Sequence, residues 1–300
     1  MDIKMNNYAI VEGLVSEVDS KDISWTAADG SKKEGKAGTI RVRVDNEDNI
    51  DSDGTYQIVP VSFFINKHRK DGQIMKPFVS MESFLSTVKS IASDGISEAT
   101  KVRITGGNFT MREFEGRDGN LVSNPEIDAT FFNVVGDNFR PRIEGNLEMA
   151  VVNMEQEVDA DGVETGTLIV YGATTDGYSA DLIQLKAHDP RIVTGLQQVI
   201  EVGSVYNFYI QGDFATTVET VKEEVLIGDP VERTRTTQKR DLLITGVSEA
   251  NLDVTEEDIK AILDKRTARL EKQKAKAQAR AERTKQPVVE KQATAADFGF

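Results

Sequence analysis

Apolar and polar positions alternate through most of the first 140 residues, a period of two that marks half-buried strands. Tyr8–Val18 alternates, with Gly13 placed where a bulge or sharp bend would fall. Thr39–Val44 and Tyr56–Ile65 continue the pattern, and Pro60 marks the second of these as an edge or bulged strand. Between the first two strands, the polar run Ser20–Gly38 reads as a loop carrying Trp25, Lys32, Lys33 and Lys36. At Ser80–Ala92 the spacing becomes helical, with Phe84, Val88 and Ile91 on one face and Asp94-Gly95 as the stop. Lys101–Met111 and Ile127–Val135 return to strand alternation. The expected order is three strands, a helix and two strands.

That order recurs. Ile143–Met154 begins Ile-Glu-Gly much as Val11-Glu12-Gly13 does, and strands at Gly166–Tyr171 and Ser179–Ala187 follow. A helix at Arg191–Val199 precedes Val205–Phe214, which ends in Gly-x-Phe like Ala99–Phe109, and Asp241–Val247 closes the set. The matched order predicts two copies of one module, over residues 1–140 and 141–252. From Thr255 the composition shifts to a charged helix over 253–286 whose apolar face fades after Leu270, and 287–300 form a tail. Asp264–Lys291 holds ten basic and four acidic residues, a net of +6 that leaves -20 on the rest. The fold class expected is therefore mainly β: two tandem five-stranded OB-fold-like barrels, each with a short helix, then a charged helix and a tail.

The 300 residues carry 50 Asp and Glu against 36 Lys and Arg, a net charge of -14. Net charge alone thus argues against non-specific adhesion to nucleic acid, and any cationic site must be local. There is no cysteine, which removes disulfides and thiolate metal sites, and only His68 and His188 are available to a catalytic or metal centre. No apolar run approaches a membrane span, and the N-terminus has no signal-peptide core, so the expectation is a cytoplasmic protein. Asn49–Pro60 and Glu157–Leu168 begin like calcium loops but lack the closing Glu. The terminal Asp297-Phe298-Gly299 spells a kinase motif without its context. No enzyme, cofactor or metal is expected.

Thr100–Phe132 carries a Gly-x-Phe strand end, then Arg112-Glu113-Phe114, a turn at Asp118-Gly119 and a returning Glu126-Ile127-Asp128-Ala129 strand. This stretch resembles the last hairpin of the bacterial and phage single-stranded DNA-binding proteins, an OB-fold family. The resemblance implies a phage-type protein that coats and protects single strands in replication or recombination. It also implies a C-terminal end that docks on partner enzymes, here Asp297, Phe298 and Phe300. The second module is read either as a weaker DNA binder or as a module for dimerisation or protein contacts, the latter giving a homodimer. The alternative is a phage structural or assembly protein that uses its β modules for protein contacts.

Single strands are held by cations along the backbone and aromatic faces under the bases. In the first module the candidates are Trp25, Lys32, Lys33, Lys36, Arg41, Arg43, Phe63, Lys67, Arg69, Lys70, Arg112, Phe114 and Arg117. Arg41 and Arg43 are two apart on a strand and so share a face. One of Phe63 and Phe64 must be core, since neighbours on a strand face opposite ways. Trp25 is assigned either to base stacking or to loop packing. The second module offers Tyr171, Tyr178, Arg233, Arg235, Lys239 and Arg240, with Tyr206, Tyr209 and Phe214 as further aromatics. Its cations fall in the expected hairpin loop Lys222–Lys239, diluted by Glu219, Glu223, Glu224 and Glu232.

Overall fold

Alternation carries the first strand much further than the apolar residues do. In the computed structural model β1 runs Asn7–Thr26 and β2 Lys32–Val44, so only a short turn separates them. The structure describes residues 3–27, 29–45, 56–116, 120–136, 138–223 and 231–285, with backbone alone at 218–223, 231–236, 277 and 279–285. The polar run expected as a loop is thus a hairpin, paired from Val18↔Ile40 to Thr26↔Lys32. Its residues are polar because this end of the ribbon projects past the buried core. Gly38 permits the close approach: a Cβ there would collide with the Asp19 carbonyl and the Phe63 ring.

Next come β3 (Tyr56–Asn66), α1 (Lys76–Thr87), α2 (Ile91–Asp94), β4 (Lys101–Glu115), β5 (Leu121–Asp128) and β6 (Phe132–Val134). The helix expected over Ser80–Ala92 is displaced and split. Pro77 fits the first turn of α1, Val88 is extended, and Ser90 caps α2 by accepting from the Ser93 N–H. Strand β1 pairs with β2 and β4, β2 with β3, β3 in parallel with β5, and β5 with β4. These pairings close a five-strand circuit with its helices between the third and fourth strands, the connectivity of an OB-fold.

The second half repeats the circuit. It holds β7 (Arg142–Val158), β8 (Glu164–Thr175), β9 (Ala180–Ala187), α3 (Pro190–Val199), β10 (Val205–Asp213), β11 (Ala215–Glu223), β12 (Val231–Gln238) and β13 (Asp241–Glu249). Strand β7 pairs with β8 and β10, β8 with β9, β9 in parallel with β13, and β13 with β10. The expected loop Lys222–Lys239 is instead mostly the β11–β12 hairpin, paired from Thr216↔Gln238 to Glu223↔Val231. Its polar sequence, with no clean apolar alternation, hid the strands.

Strands β1 and β7 pair antiparallel from Asn7↔Leu147 to Glu12↔Arg142, so one sheet runs through both circuits. Buried Glu12 ties this seam. Its carboxylate accepts from Arg103 Nε and Nη2, each at 2.8 Å, and from the Arg140 N–H at 2.9 Å. Burial alone would raise the Glu12 pKa, but Arg103, the Arg140 N–H and Arg142 outweigh it and hold the group below its usual range. The main core includes Phe109, Phe208, Phe214, Leu147 and Met149, all nearly sealed from solvent.

Helix α4 (Glu256–Lys285) then straps the two halves. Ile259 and Ile262 are buried against Ile3, Met5, Ala150, Ala173 and Ala180, whose small side chains on β7, β8 and β9 leave room for the helix. One turn on, Arg266 and Arg269 both bind Glu113 of β4, and Arg269 Nη1 reaches Asp181 of β9 at 2.6 Å. The first half of α4 is therefore packed rather than solvated. Leu270 ends the apolar face, as expected.

Candidate nucleic-acid interface

Strand parity decides which side chains leave the core of the first circuit. Val59, Val61, Phe63 and Ile65 of β3 point inward, which leaves Phe64 half-exposed on the outer face. Phe63 is 4% exposed and packs edge-on against Phe132, so it is a core residue and not a stacking platform. Phe64 takes that place. On β1 the same face presents Trp25, opposite Lys33 on β2, and the Trp25 and Phe64 rings meet at 5.3 Å with a 52° tilt.

Beside this pair lies a groove of about 950 Å³ lined by Trp25, Lys32, Lys33, His68, Arg69 and Lys70, among others. Two turns build it. The Asp29 carboxylate accepts from the Ser31 N–H at 2.9 Å and closes the β1–β2 turn. In the segment after β3, the Arg69 N–H bonds the Gln73 carbonyl at 2.8 Å around Gly72, whose φ of 82° suits glycine. That tight turn thrusts Arg69 and Lys70 outward. The lining is cationic on balance although the chain is acidic: Lys32, Lys33, Arg69 and Lys70 stand against Asp29 and Glu34, and Glu34 is engaged by Lys67 at 2.9 Å.

The remaining candidates divide. Lys36 is not on the open surface: its ammonium is held between Glu82 at 2.6 Å and Asp22 at 2.9 Å, which raise its pKa. Arg43 binds Asp45 and lies over the Tyr56 ring at 4.4 Å. Arg41 pairs with exposed Glu17 at 2.5 Å, and Arg112 with Glu126 at 3.2 Å. Phe114 is exposed at the end of β4, facing Leu121 and Leu270 in a second, apolar groove against α4. Arg117, Asp297, Phe298 and Phe300 lie outside the described residues, as do the side chains of Arg233 and Arg235.

In the second circuit Tyr171 donates its hydroxyl to Glu155 at 2.8 Å, and burial together with that carboxylate pushes its pKa up to about 12. Tyr178 stands almost fully in solvent. Lys239 binds Asp213 at 2.8 Å and Asp241 at 3.3 Å. None of the three lines the groove beside Trp25. Tyr206 and Phe214 are core, and Tyr209 is half-exposed.

The sequence left the choice between Phe63 and Phe64 open, and it grouped Arg240 with the cations of the second module's hairpin. Parity with Val59, Val61 and Ile65 was a sufficient signal for Phe64. Arg240 is half-buried beside the first circuit's outer face, where its charge feels Glu126, Arg112 and Arg41. On the same face Asp128 keeps an open edge to solvent, yet burial of its carboxyl, with Glu126 and Asp181 nearby, raises its pKa to about 6. Among the described residues no group of His, Asp and Glu could hold a metal ion, and no helix is long and apolar enough to cross a membrane.

Strand order, helix position and the open outer face define a mainly β protein built on OB-type circuits. The YorF family model matches residues 4–276, and the chain belongs to the YorF family. No curated protein matches the sequence. Among solved structures, the wild-type single-stranded DNA binding protein from Thermus aquaticus aligns at 9% identity with a TM-score of 0.45, covering 85% of this chain and 97% of that one. A deletion mutant of that protein aligns at 10% identity and a TM-score of 0.41, covering 85% and 98%.

Proposed function

We propose that this protein binds single-stranded DNA without catalysis, coating and protecting the strand. One observation carries the reading: the Trp25–Phe64 pair stands on an outer strand face directly beside a groove carrying Lys32, Lys33, Arg69 and Lys70. Flat rings take bases of any sequence, and cations beside them take the phosphates that join those bases. Duplex DNA hides its base faces and offers the rings nothing. The two circuits act as OB modules over residues 1–140 and 141–252, with the strand held mainly by the first. Coating of this kind keeps DNA unpaired for replication or recombination enzymes, and the end at Asp297, Phe298 and Phe300 is assigned to docking on them.

The test is titration of the full chain with a dT oligomer and with a duplex of equal length, following Trp25 fluorescence. Quenching by the oligomer alone, relieved by salt, supports the reading. Equal affinity for the two, or emission unchanged at saturation, overturns it.

A further inference from the structure

The turn between β12 and β13 belongs to the second circuit but sits on the first. Thr216 and Ala215 of β11 pair with Tyr56 and Gln57 of β3. The Ile58 N–H donates to the Phe214 carbonyl at 3.1 Å, and the Lys239 N–H to the Ala215 carbonyl at 2.8 Å. Those bonds set Arg240, the next residue, over the outer face of β2 and β3. There Arg41 stands opposite Pro60, and Arg112 rises from β4 opposite Asn124.

Three guanidinium groups thus converge, and their partners do not match them. Arg41 pairs with exposed Glu17, an ion pair of little strength in water. Arg112 is 66% exposed and shares Glu126 with the Ser62 hydroxyl. Arg240 is half-buried and bonds the Gln238 amide oxygen at 2.8 Å, with no carboxylate partner among the described residues. Burial and repulsion from Arg112 and Arg41 oppose its charge, and the attraction set against them comes from Glu126. Holding a third guanidinium in such a place is costly unless an anion arrives to share it. The planar fork of arginine matches phosphate oxygens two at a time.

We propose that Arg41, Arg112 and Arg240 form a phosphodiester-binding subsite shared by the two circuits, through which the second circuit grips a strand laid on the first. The inference rests on the strand-binding reading above and extends it. Base stacking occurs at Trp25 and Phe64, and the backbone then crosses the arginine cluster. The second circuit's contribution is one residue delivered by a loop.

The experiment compares full-length wild type with Arg240→Gln, Arg240→Lys and Arg112→Gln, measuring affinity for a dT oligomer across a salt series. The Gln variants are expected to bind about 5- to 20-fold more weakly, with the salt slope reduced by roughly 0.7 for each phosphate no longer engaged. Arg240→Lys, which keeps the charge but gives up the fork, should fall between wild type and Arg240→Gln. Melting temperatures should stay close to wild type, because among the described residues Arg240 breaks no ion pair and gives up a bond to the Gln238 amide oxygen. If wild type binds and Arg240→Gln matches it in affinity and slope, the subsite is overturned while strand binding stands. Weaker affinity with an unchanged slope assigns Arg240 a packing role and also overturns the subsite. A wild-type protein that binds no oligomer overturns both readings.

Discussion

Val11 lies directly opposite Ile143 where β1 meets β7, and each opens the Glu-Gly pair of its own repeat. The repeats therefore meet at matching residues, as they would about a local two-fold axis through that pair. The relation extends outward. The hairpin of the first circuit reaches α4 and β9 through Glu113, while the hairpin of the second reaches β3 through Thr216. Each half lends its hairpin to the other.

Removal of either outer ring should weaken strand binding without unfolding the protein. Trp25→Ala and Phe64→Ala each remove a stacking partner worth roughly 1–3 kcal/mol, a drop of several-fold to a hundredfold or more in dT affinity. Phe63→Ala should instead cost about 3–5 kcal/mol of stability. Fluorescence anisotropy and thermal melting separate the neighbours: a Phe64 variant that melts early would reverse the assignment of faces.

Glu113 carries the clasp between α4 and β4, its carboxylate sealed from solvent beneath Arg266 and Arg269. Taking one partner from a buried ion pair leaves the others unmatched, at a cost of about 3 kcal/mol or more. Glu113→Gln should lower the melting temperature and speed hydrogen exchange in α4 around Ile259 and Ile262. Unchanged exchange there would show that apolar packing alone holds the helix.

Asp128 sets a pH dependence. Its carboxyl is raised from 3.8 to about 6 in the folded chain, so the fold holds this proton more tightly than the unfolded chain does. Stability from this group therefore grows as pH falls from 7 through 6 towards 4, and is lost as pH rises through about 6. Asp128→Asn should melt higher than wild type at pH 7, with the gap closing by pH 5. It should also bind dT more tightly at pH 7, since a carboxylate leaves the arginine face. Parallel melting curves for the two proteins at every pH would contradict this.

Gly38 should tolerate no side chain. In Gly38→Ala the new methyl meets the Asp19 carbonyl and the Phe63 ring, and the hairpin must open to admit it. Overpacking of this kind costs about 1–3 kcal/mol. Because Trp25 rides on the same hairpin, dT affinity should fall together with the melting temperature. A variant that melts early but binds normally would show that Trp25 is positioned by Phe64 instead.

Much of the fold was legible because burial writes itself into alternation. Val11, Ile40, Val42, Val61 and Ile104 all sit at the inward positions their pattern implies, and the repeated Gly-x-Phe ends place Phe109 and Phe214 in the core. What failed to show were strands without an apolar face in their sequence. The outer reaches of β1 and β2, and the β11–β12 hairpin, are strands with polar residues on both faces, so nothing in their composition separates them from loops. The split of α1 from α2 falls at 88–90, where Val88 and Ser90 are both extended. In the site, Trp25, Lys32, Lys33, Arg69 and Lys70 were named as candidates, but that they line one groove follows from the β1–β2 hairpin and the turn after β3. Arg240 could not be placed, since only pairing between β11 and β3, far apart in the chain, brings it to the first circuit.

The shared sheet also bears on how the chain is made. The edge of β1 from Asn7 to Glu12 that β7 covers has no strand of its own half to pair with, for β2 takes β1 only from Leu14 onward. On a ribosome the leading half would emerge with that ribbon edge bare, Val11 on it, until Arg142–Leu147 followed. An open edge of this kind recruits other strands, including those of sister chains on neighbouring ribosomes. Rapid synthesis through the middle of the message, or a chaperone that shields Asn7–Glu12, would then govern how much of the product reaches its native form.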